Sequence, residues 1–345
     1  MCSPAGRSVY DTSTMIYHDS IYGVVELHEP ILVDLLQTTA MCRLQGVMQH
    51  GVSALVGITQ PVTRFEHSVG VMLLVRRLGA ALAEQIAALL HDVSHTAFSH
   101  VIDYVFQAHT TQSYHEERKE WYLGQTDVPA VLARHGYDWQ AFLHEEAYPL
   151  LEQPAPALCA DRLDYFLRDS LDLGLSSPER IQAVLDHLVV QAGRIGVDDL
   201  AVARWLGYTY IATDQASWAN LREVGLYELT ARAIRRGLQT GELSEADIWG
   251  TDEPLWQKLH ASTDPELRAL LILISADTEF VLDEACSTFK VGTKLRTIDP
   301  DVSMGGGLQP LSTLDPEFGQ YRAEYLSRKQ GEWPIRVIGS SGMTQ

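Results

Sequence analysis

The chain has 345 residues, 46% of them hydrophobic and 21% charged, and a formal net charge of −19. That composition is ordinary for a globular protein with room for one large domain or two. So acidic a chain is a poor match for nucleic-acid polymers, which are bound through basic groups that displace counterions, and any phosphate-bearing ligand must meet positive charge concentrated locally.

The first thirty residues lack a basic stretch followed by an apolar one, so no secretory signal is expected. "GVMLLVRRLGAALAEQIAALLHDVSH" repeats apolar residues at three- and four-residue intervals and is rich in Ala and Leu, which predicts helix divided in two at Gly79. "SSPERIQAVLDHLVV" opens a helix with Ser177 as N-cap and Pro178 at the first helical position. "VVQAGRIGVDD" changes to short β-prone pieces around a glycine, a small hairpin, and "ANLREVGLYELTARAIRRGL" returns to helix. "LRALLILISA", the longest apolar run, is too short to span a bilayer.

Towards the C-terminus the character changes. "STFKVGTKLRTIDPDVSMGGGLQPLS" is rich in turn residues and β-formers, and "EWPIRVIG" reads as a closing strand. The glycines 305–307 read as a mobile loop, because no strand–loop–helix context makes them a phosphate cradle. The expected fold is mainly α, in broad class all-α, with a helical core over 1–245 and a smaller α+β portion over 246–345. Cys2, Cys42, Cys159 and Cys286 are scattered without CxxC pairing, which fits reduced thiols in a cytoplasmic protein with no membrane segment.

"LLHDVSHTAFSH" (residues 89–100) crowds three histidines and an aspartate behind two leucines. His91 and Asp92 are adjacent near the end of an apolar helix, so their side chains diverge by about 100°. Both reach one ion only if it lies beside that helix and other elements complete its shell. His95 follows one turn beyond His91, and His100 closes the segment. Upstream, in "TRFEHSVGV", His67 directly precedes an amphipathic helix with Arg64 three residues earlier. Downstream, "ADRLDYFLRDS" alternates Asp161, Asp164 and Asp169 with Arg162, Tyr165 and Arg168. Imidazole nitrogens with carboxylate oxygens suit one divalent transition metal ion, Mn, Fe, Co, Ni or Zn, better than magnesium. Two histidines and two carboxylates leave positions open for water and substrate, as a catalytic ion needs. Any one of these histidines reads as readily as a satisfied core residue. The balance shifts because six of the chain's 13 histidines fall between positions 67 and 115.

"RFEH", "LLHDVSHTAFSH" and "DRLDYFLRD", in that order, resemble the HD-domain phosphohydrolases, and most closely their dNTP triphosphohydrolase branch. "IYGVVELHEPILVDLLQT" and "MCRLQGVMQHG" are similar to that branch's N-terminal lead-in, and "KLRTIDP" to a piece of its C-terminal part. The resemblance implies an HD-type helical bundle in which His67, His91, Asp92 and Asp161 bind one metal ion. It implies that His95, His100 and Asp103 serve the chemistry, that His115 protonates the leaving oxygen, and that Arg64 holds a phosphate. Gln49, Tyr165 and Asp169 match positions that contact the sugar. The implied substrate is a small phosphate ester of a nucleotide, with a (deoxy)nucleoside triphosphate attacked at the α-phosphate as the narrower form. A homo-oligomer follows by analogy alone.

Three departures bear on substrate. The His67–His91 and His115–Asp161 intervals are short, and no counterpart of a nucleotide-controlled regulatory segment is visible. Where the branch carries a sugar-facing tyrosine, "LREVGLYEL" offers Gly225 with Tyr227 two positions on, so an open space beside the sugar is expected. The competing readings are an HD-type di-iron oxygenase, with His95 and His100 serving a second ion, and a catalytically silent nucleotide sensor. The complete ligand set and His115 speak against the sensor.

Overall fold

The computed structural model describes residues 14–108 and 110–340; Cys2 lies outside them. An antiparallel hairpin comes first, β1 (Met15–Asp19) and β2 (Gly23–Leu27), its turn tied by the backbone N–H groups of Ile21 and Tyr22 donating to Asp19 Oδ1. Short helices α1 (Pro30–Leu36), α2 (Thr39–Arg43) and α3 (Val52–Leu55) lead to α4 (Arg64–Arg77). Thr63 and Glu66 form a reciprocal capping box, each side chain accepting from the other residue's backbone N–H. This box draws Arg64 to Glu66 into the first turn, so His67 lies inside the helix and not ahead of it as the sequence suggested. Gly79, at φ +82°, separates α4 from α5 (Leu82–Leu90) as expected.

Helix α5 ends at Leu90, and residues 91–100 form a succession of turns. His95 is therefore not one helical turn beyond His91. Its backbone N–H closes a tight turn on Asp92 O at 2.9 Å. Then follow α6 (Val101–Val105), α7 (Tyr114–Leu123), α8 (Val128–Arg134), α9 (Ala160–Asp172) and α10 (Pro178–His187), the last capped by Ser177 with Pro178 in its first turn. The expected hairpin is β3 (Leu188–Gln191) and β4 (Arg194–Val197); Ala192 and Gly193 both take positive φ, the turn whose twist suits paired strands. Next come α11 (Leu200–Ala216) and α12 (Leu221–Thr240), α12 capped by Asn220 and stopped by the left-handed Gly241.

Beyond them lie α13 (Glu245–Ile248), α14 (Asp252–His260) and α15 (Pro265–Ile272), then β5 (Thr278–Leu282) and β6 (Phe289–Val291). Strands β7 (Asp301–Met304) and β8 (Gly307–Pro310), helices α16 (Leu311–Leu314) and α17 (Pro316–Lys329), and β9 (Trp333–Ser340) complete the described chain. Strand β9 lies between β5 and β6, antiparallel to both. The second sheet runs β3-β4-β7-β8, with β4 and β7 parallel at Val197 and Val302. The fold is thus helical with strands in three sheets, and the all-α description is too strong. Glycines 305 and 306 make the tight β7–β8 turn while Gly307 belongs to β8, an ordered hairpin where a mobile loop was expected.

Two apolar clusters form the interior, one around α4, α5, α9 and α11, the other around α12 and its neighbours. Residues after position 245 enter both: Ile298, Val302 and Phe318 the first, Phe289 and Ile335 the second. Among the described residues no helix is long and apolar enough to cross a membrane.

Candidate metal centre

Helices α4 and α9 pack against each other and supply half of the site. On α9, positions 161, 165 and 169 share one face and positions 164 and 168 the next, by the i, i+4 rule. His67 of α4 and Asp161 of α9 meet with Nε2 and Oδ1 2.9 Å apart. His91, at the C-terminal cap of α5, brings its Nε2 to 3.3 Å from His67 Nε2 and 3.5 Å from Asp161 Oδ1. Asp92 joins them, Oδ1 3.5 Å from His91 Nε2 and Oδ2 3.7 Å from His67 Nε2. All four residues proposed as ligands converge.

The ring nitrogens turned away from this point decide its chemistry. His67 Nδ1 lies 2.8 Å from Asp164 Oδ2, and His91 Nδ1 2.7 Å from the carbonyl of Ala88. Both partners are acceptors, so each Nδ1 carries a hydrogen, and each Nε2 offers its lone pair to a cation that displaces the Nε2 proton. Two imidazole lone pairs and two carboxylates thus face one another, a donor set that fits a divalent transition cation. The electrostatics agree. Burial opposes charge on His91, yet Asp92 and Asp161 push it up to about 10, and His67 rises with Asp161 and Asp164 beside it. Asp92, despite burial, is held well below the usual carboxylate range by Arg64 and His91, and Asp161 likewise by His67 and His91. The cluster demands positive charge at its centre.

Asp164, fully buried, was passed over as a site residue by sequence reasoning, although its i+3 spacing from Asp161 was a usable signal. Besides His67 it accepts from Arg168 Nε and Nη2 (2.8 and 3.0 Å) and from the Tyr22 hydroxyl (2.9 Å). Arg168 Nη2 continues to Asp19 Oδ2 at 2.9 Å, linking the β1–β2 turn to His67.

The turns after His91 are held from outside. Arg43 Nη2 donates to the carbonyls of Val93 (2.9 Å) and His95 (2.6 Å), and Arg64 Nε donates to Ser99 Oγ (3.0 Å). Phe98 and Ser99 both take positive φ, and Asp252 Oδ1 secures the Phe98 N–H at 2.8 Å. Arg64 Nη1 also binds Asp92 Oδ2 at 2.6 Å. This folding gathers three more predicted residues: His95 and His115 stack with ring centres 3.7 Å apart, and His100 meets His95 edge-on at 5.0 Å. Asp103 Oδ2 lies 2.9 Å from His100 Nδ1, while its Oδ1 accepts from the Tyr114 N–H. Burial, then the Arg64 charge, pulls His95 down to about 3; His100 and His115 also fall well below the ordinary value, chiefly through burial. Burial raises Asp103 to about 6.

Both groups open onto a cavity of about 850 Å³. Gln49 lines it with a buried Oε1 that has no hydrogen-bond partner among the described residues. Tyr165 is in the wall, its hydroxyl against that of Tyr210. Asp169 is there too, with both oxygens already engaged: Oδ1 by His50 Nε2 at 2.9 Å and Oδ2 by Trp218 Nε1 at 2.6 Å. Trp218 meets Tyr165 and Tyr210 edge-on at 5.0 Å each, an aromatic wall that the sequence did not single out. Gly225 is not in the cavity lining. A Cβ there would overlap the Phe280 ring, so β5 fills the notch and no open space faces a sugar. Tyr227 lines the cavity instead, its hydroxyl donating to His50 O at 3.1 Å.

Residues 64–169, which carry these ligands, match the family described as HD domain. The protein named Metal-dependent phosphohydrolase cns2, from Cordyceps militaris, is 42% identical over 346 aligned residues, covering 96% of this chain and 99% of that one. The uncharacterized protein YdhJ of Bacillus subtilis is 39% identical, over 82% of this chain and 87% of its own. A shorter match, 37% identical, covers 26% of this chain and 17% of the deoxynucleoside triphosphate triphosphohydrolase SAMHD1 of Danio rerio. A crystal structure of a hypothetical protein from Aquifex aeolicus shares the fold with a TM-score of 0.67 at 18% identity, covering 95% of this chain and 96% of that one. With its ligand set and these near full-length relatives, the chain belongs to the HD family and is a metal-dependent phosphohydrolase of that superfamily.

Proposed function

We propose that this enzyme hydrolyses a phosphate ester of a nucleotide at the centre made by His67, His91, Asp92 and Asp161. One observation carries the reading: these four sets of acceptor atoms converge beside a cavity with a neutral histidine trio in one part and an aromatic wall in another. His67, His91, Asp92 and Asp161 would hold a divalent ion, which when bound would polarise the phosphoryl group. Arg64, with Nε and Nη1 committed, offers Nη2 to a phosphoryl oxygen. Asp103 fixes the hydrogen of His100 on Nδ1, which leaves Nε2 to accept the proton of an attacking water. The trio, charged only in transit, returns that proton to the leaving oxygen through His115. His95, stacked on His115, keeps it in plane. Such chemistry asks for positioning and charge neutralisation more than covalent participation.

The nucleoside is read by the aromatic wall. The unpartnered Gln49 Oε1 accepts a sugar hydroxyl, Tyr165 lines the sugar, and Asp169 holds His50 and Trp218 towards it. The partial likeness to SAMHD1 supports a nucleotide over other esters. The test is a panel of NTPs, dNTPs and nucleoside monophosphates with Mn, Fe, Co, Ni and Mg, followed by phosphorus NMR. Tripolyphosphate release means attack at the α-phosphate, and single phosphate release means monoester chemistry. No phosphorus product from any nucleotide overturns the reading.

The second reading, a two-iron oxygenase, draws on the ligand atoms of His95, His100 and His115 lying within 4.8 Å of one another. Two irons per chain with O₂ consumption favour it; one ion per chain without O₂ uptake removes it.

A further inference from the structure

After β6 the chain runs through residues 292–300 without regular structure, and residues 293–297 pass along the cavity wall, far outside the HD match. This strap is tied from several sides. The Arg296 N–H donates to Asp214 Oδ2 at 3.1 Å, an oxygen that also accepts from the Tyr325 hydroxyl at 2.7 Å. Arg322 Nε donates to Thr297 Oγ1 at 2.9 Å, and the Asp299 N–H to Pro156 O at 2.8 Å.

Six lysine and arginine side chains line the cavity. Three are taken by carboxylates: Arg64 by Asp92, Lys119 by Glu145 and Arg162 by Glu152, each at 2.6 Å. Lys294, Arg296 and Arg322 pair with no carboxylate among the described residues, in a chain with 45 acidic and 26 basic residues. Arg322 lends its Nε to the strap. Arg296 reaches only neutral oxygens, Gln112 Oε1 and Lys294 O, and its guanidinium lies 5.9 Å from the Trp218 ring centre. The Asp214 carboxylate, engaged by the Arg296 backbone N–H, compensates this part-buried cation only in part, because the guanidinium itself makes no ion pair among the described residues. Lys294 and Arg296 both line the same cavity as the histidine trio.

We propose that Lys294 and Arg296 are an anion-binding pair that seats the phosphate of the substrate against the metal ligands and the histidine trio. The ligand class is a phosphate group with free oxygens: Arg296 offers a planar fork to two of them and Lys294 a mobile point charge. This rests on the phosphate-ester reading and adds that residues outside the HD match share in holding the substrate.

Inorganic phosphate is the probe, titrated by calorimetry into the full-length, metal-loaded protein and measured in parallel as an inhibitor. Lys294→Gln and Arg296→Gln each weaken its Kd by about tenfold or more, the range of a charge-assisted hydrogen bond. Lys294→Arg retains binding, Arg296→Lys restores it in part, and metal content stays at the wild-type level throughout. Should Arg296→Gln fail to fold, Lys294→Gln decides, because that side chain is exposed. Wild-type binding with an unchanged Kd in Lys294→Gln overturns the pair and leaves the ester reading standing. A metal-loaded wild type that neither binds phosphate nor hydrolyses any ester overturns both.

Discussion

Replacing Gly70 with alanine adds one methyl group where α4 faces Asp164 and Arg168 of α9. The new Cβ would overlap Arg168 Nη2 and Asp164 Oδ1 and lie 2.8 Å from Asp164 Cγ. Neither neighbour can yield cheaply, because Arg168 is fixed between Asp164 and Asp19 and Asp164 is fully buried. Three effects compete. Alanine is favoured over glycine inside a helix by about 1 kcal/mol. Overpacking costs about 1–3 kcal/mol. If Asp164 shifts, the buried His67 Nδ1–H loses its acceptor, a further cost of about 1–3 kcal/mol. The sum is a net loss of roughly 1–5 kcal/mol, against the sign that helix propensity alone predicts.

The same shift releases the orientation of His67, and such supporting contacts are typically worth about 10–100-fold in metal affinity. Urea unfolding of the metal-free protein and chelator competition with the loaded protein read the two effects separately. Gly307→Ala is the matched control: no atom lies within 4 Å of its added Cβ, and its backbone is not left-handed. A Gly70→Ala protein that is as stable as wild type, or more so, and holds metal equally well would refute the proposed link from Asp19 through Arg168 and Asp164 to His67.

Asp161→Asn should empty the metal centre and cost less metal-free stability than Asp92→Asn, since its side chain is 25% exposed although its pairing with His67 is lost. Asp92→Asn should empty it as well and cost about 3–5 kcal/mol by leaving Arg64 buried without its partner; metal analysis with urea titration separates the two variants. His115, pulled well below its ordinary value by burial and then by His95, binds a proton in the unfolded chain near pH 6.5 but not in the folded one. Its neutral form therefore contributes stability above that pH, lost as the pH falls, at up to about 1.4 kcal/mol per unit. The unfolding free energy of wild type should accordingly fall towards, or below, that of His115→Gln between pH 7 and 5, and a constant difference would contradict the buried neutral assignment. Gly225→Ala should cost up to about 2 kcal/mol, overpacking of about 1–3 kcal/mol against the Phe280 ring less about 1 kcal/mol of helix propensity, and a smaller penalty in the Phe280→Ala background would show that the ring is the cause.

How much of this was legible depended on whether a feature was local. The four residues proposed as ligands could be named because the ordered motifs resemble a known family, and the His and Asp types within them are those that metal chemistry favours. Chain order alone told nothing of what fills a notch, so Gly225 read as empty space while Phe280, 55 residues later, occupies it. Lys294 and Arg296 reach the cavity on a strap without periodicity, fixed by Asp214 and Arg322 from distant helices. The parallel pairing of β4 with β7 joins segments over a hundred residues apart and left no local trace.

The clearest failure of local reading is the one closest to the chemistry. "HDVSHTAFSH" contains neither glycine nor proline, and its pattern continues that of α5, so propensity extends the helix through His95. The structure breaks it after Leu90 because the segment's backbone groups find partners elsewhere: Arg43 takes the Val93 and His95 carbonyls, Ile248 O takes the Ala97 N–H, and Asp252 takes the Phe98 N–H. Gly51 permits the approach, since a Cβ there would lie 2.5 Å from Phe98 O. A continued helix would satisfy the same groups locally and carry His95 around the helix axis with His91. The tertiary solution instead lets His95 stack on His115 while His91 stays with the metal ligands. The chain path that lets His91 join His67 and Asp161 while His95, four residues on, turns to His115 is therefore produced by Arg43, Asp252 and Gly51, none of which lies within the HD match.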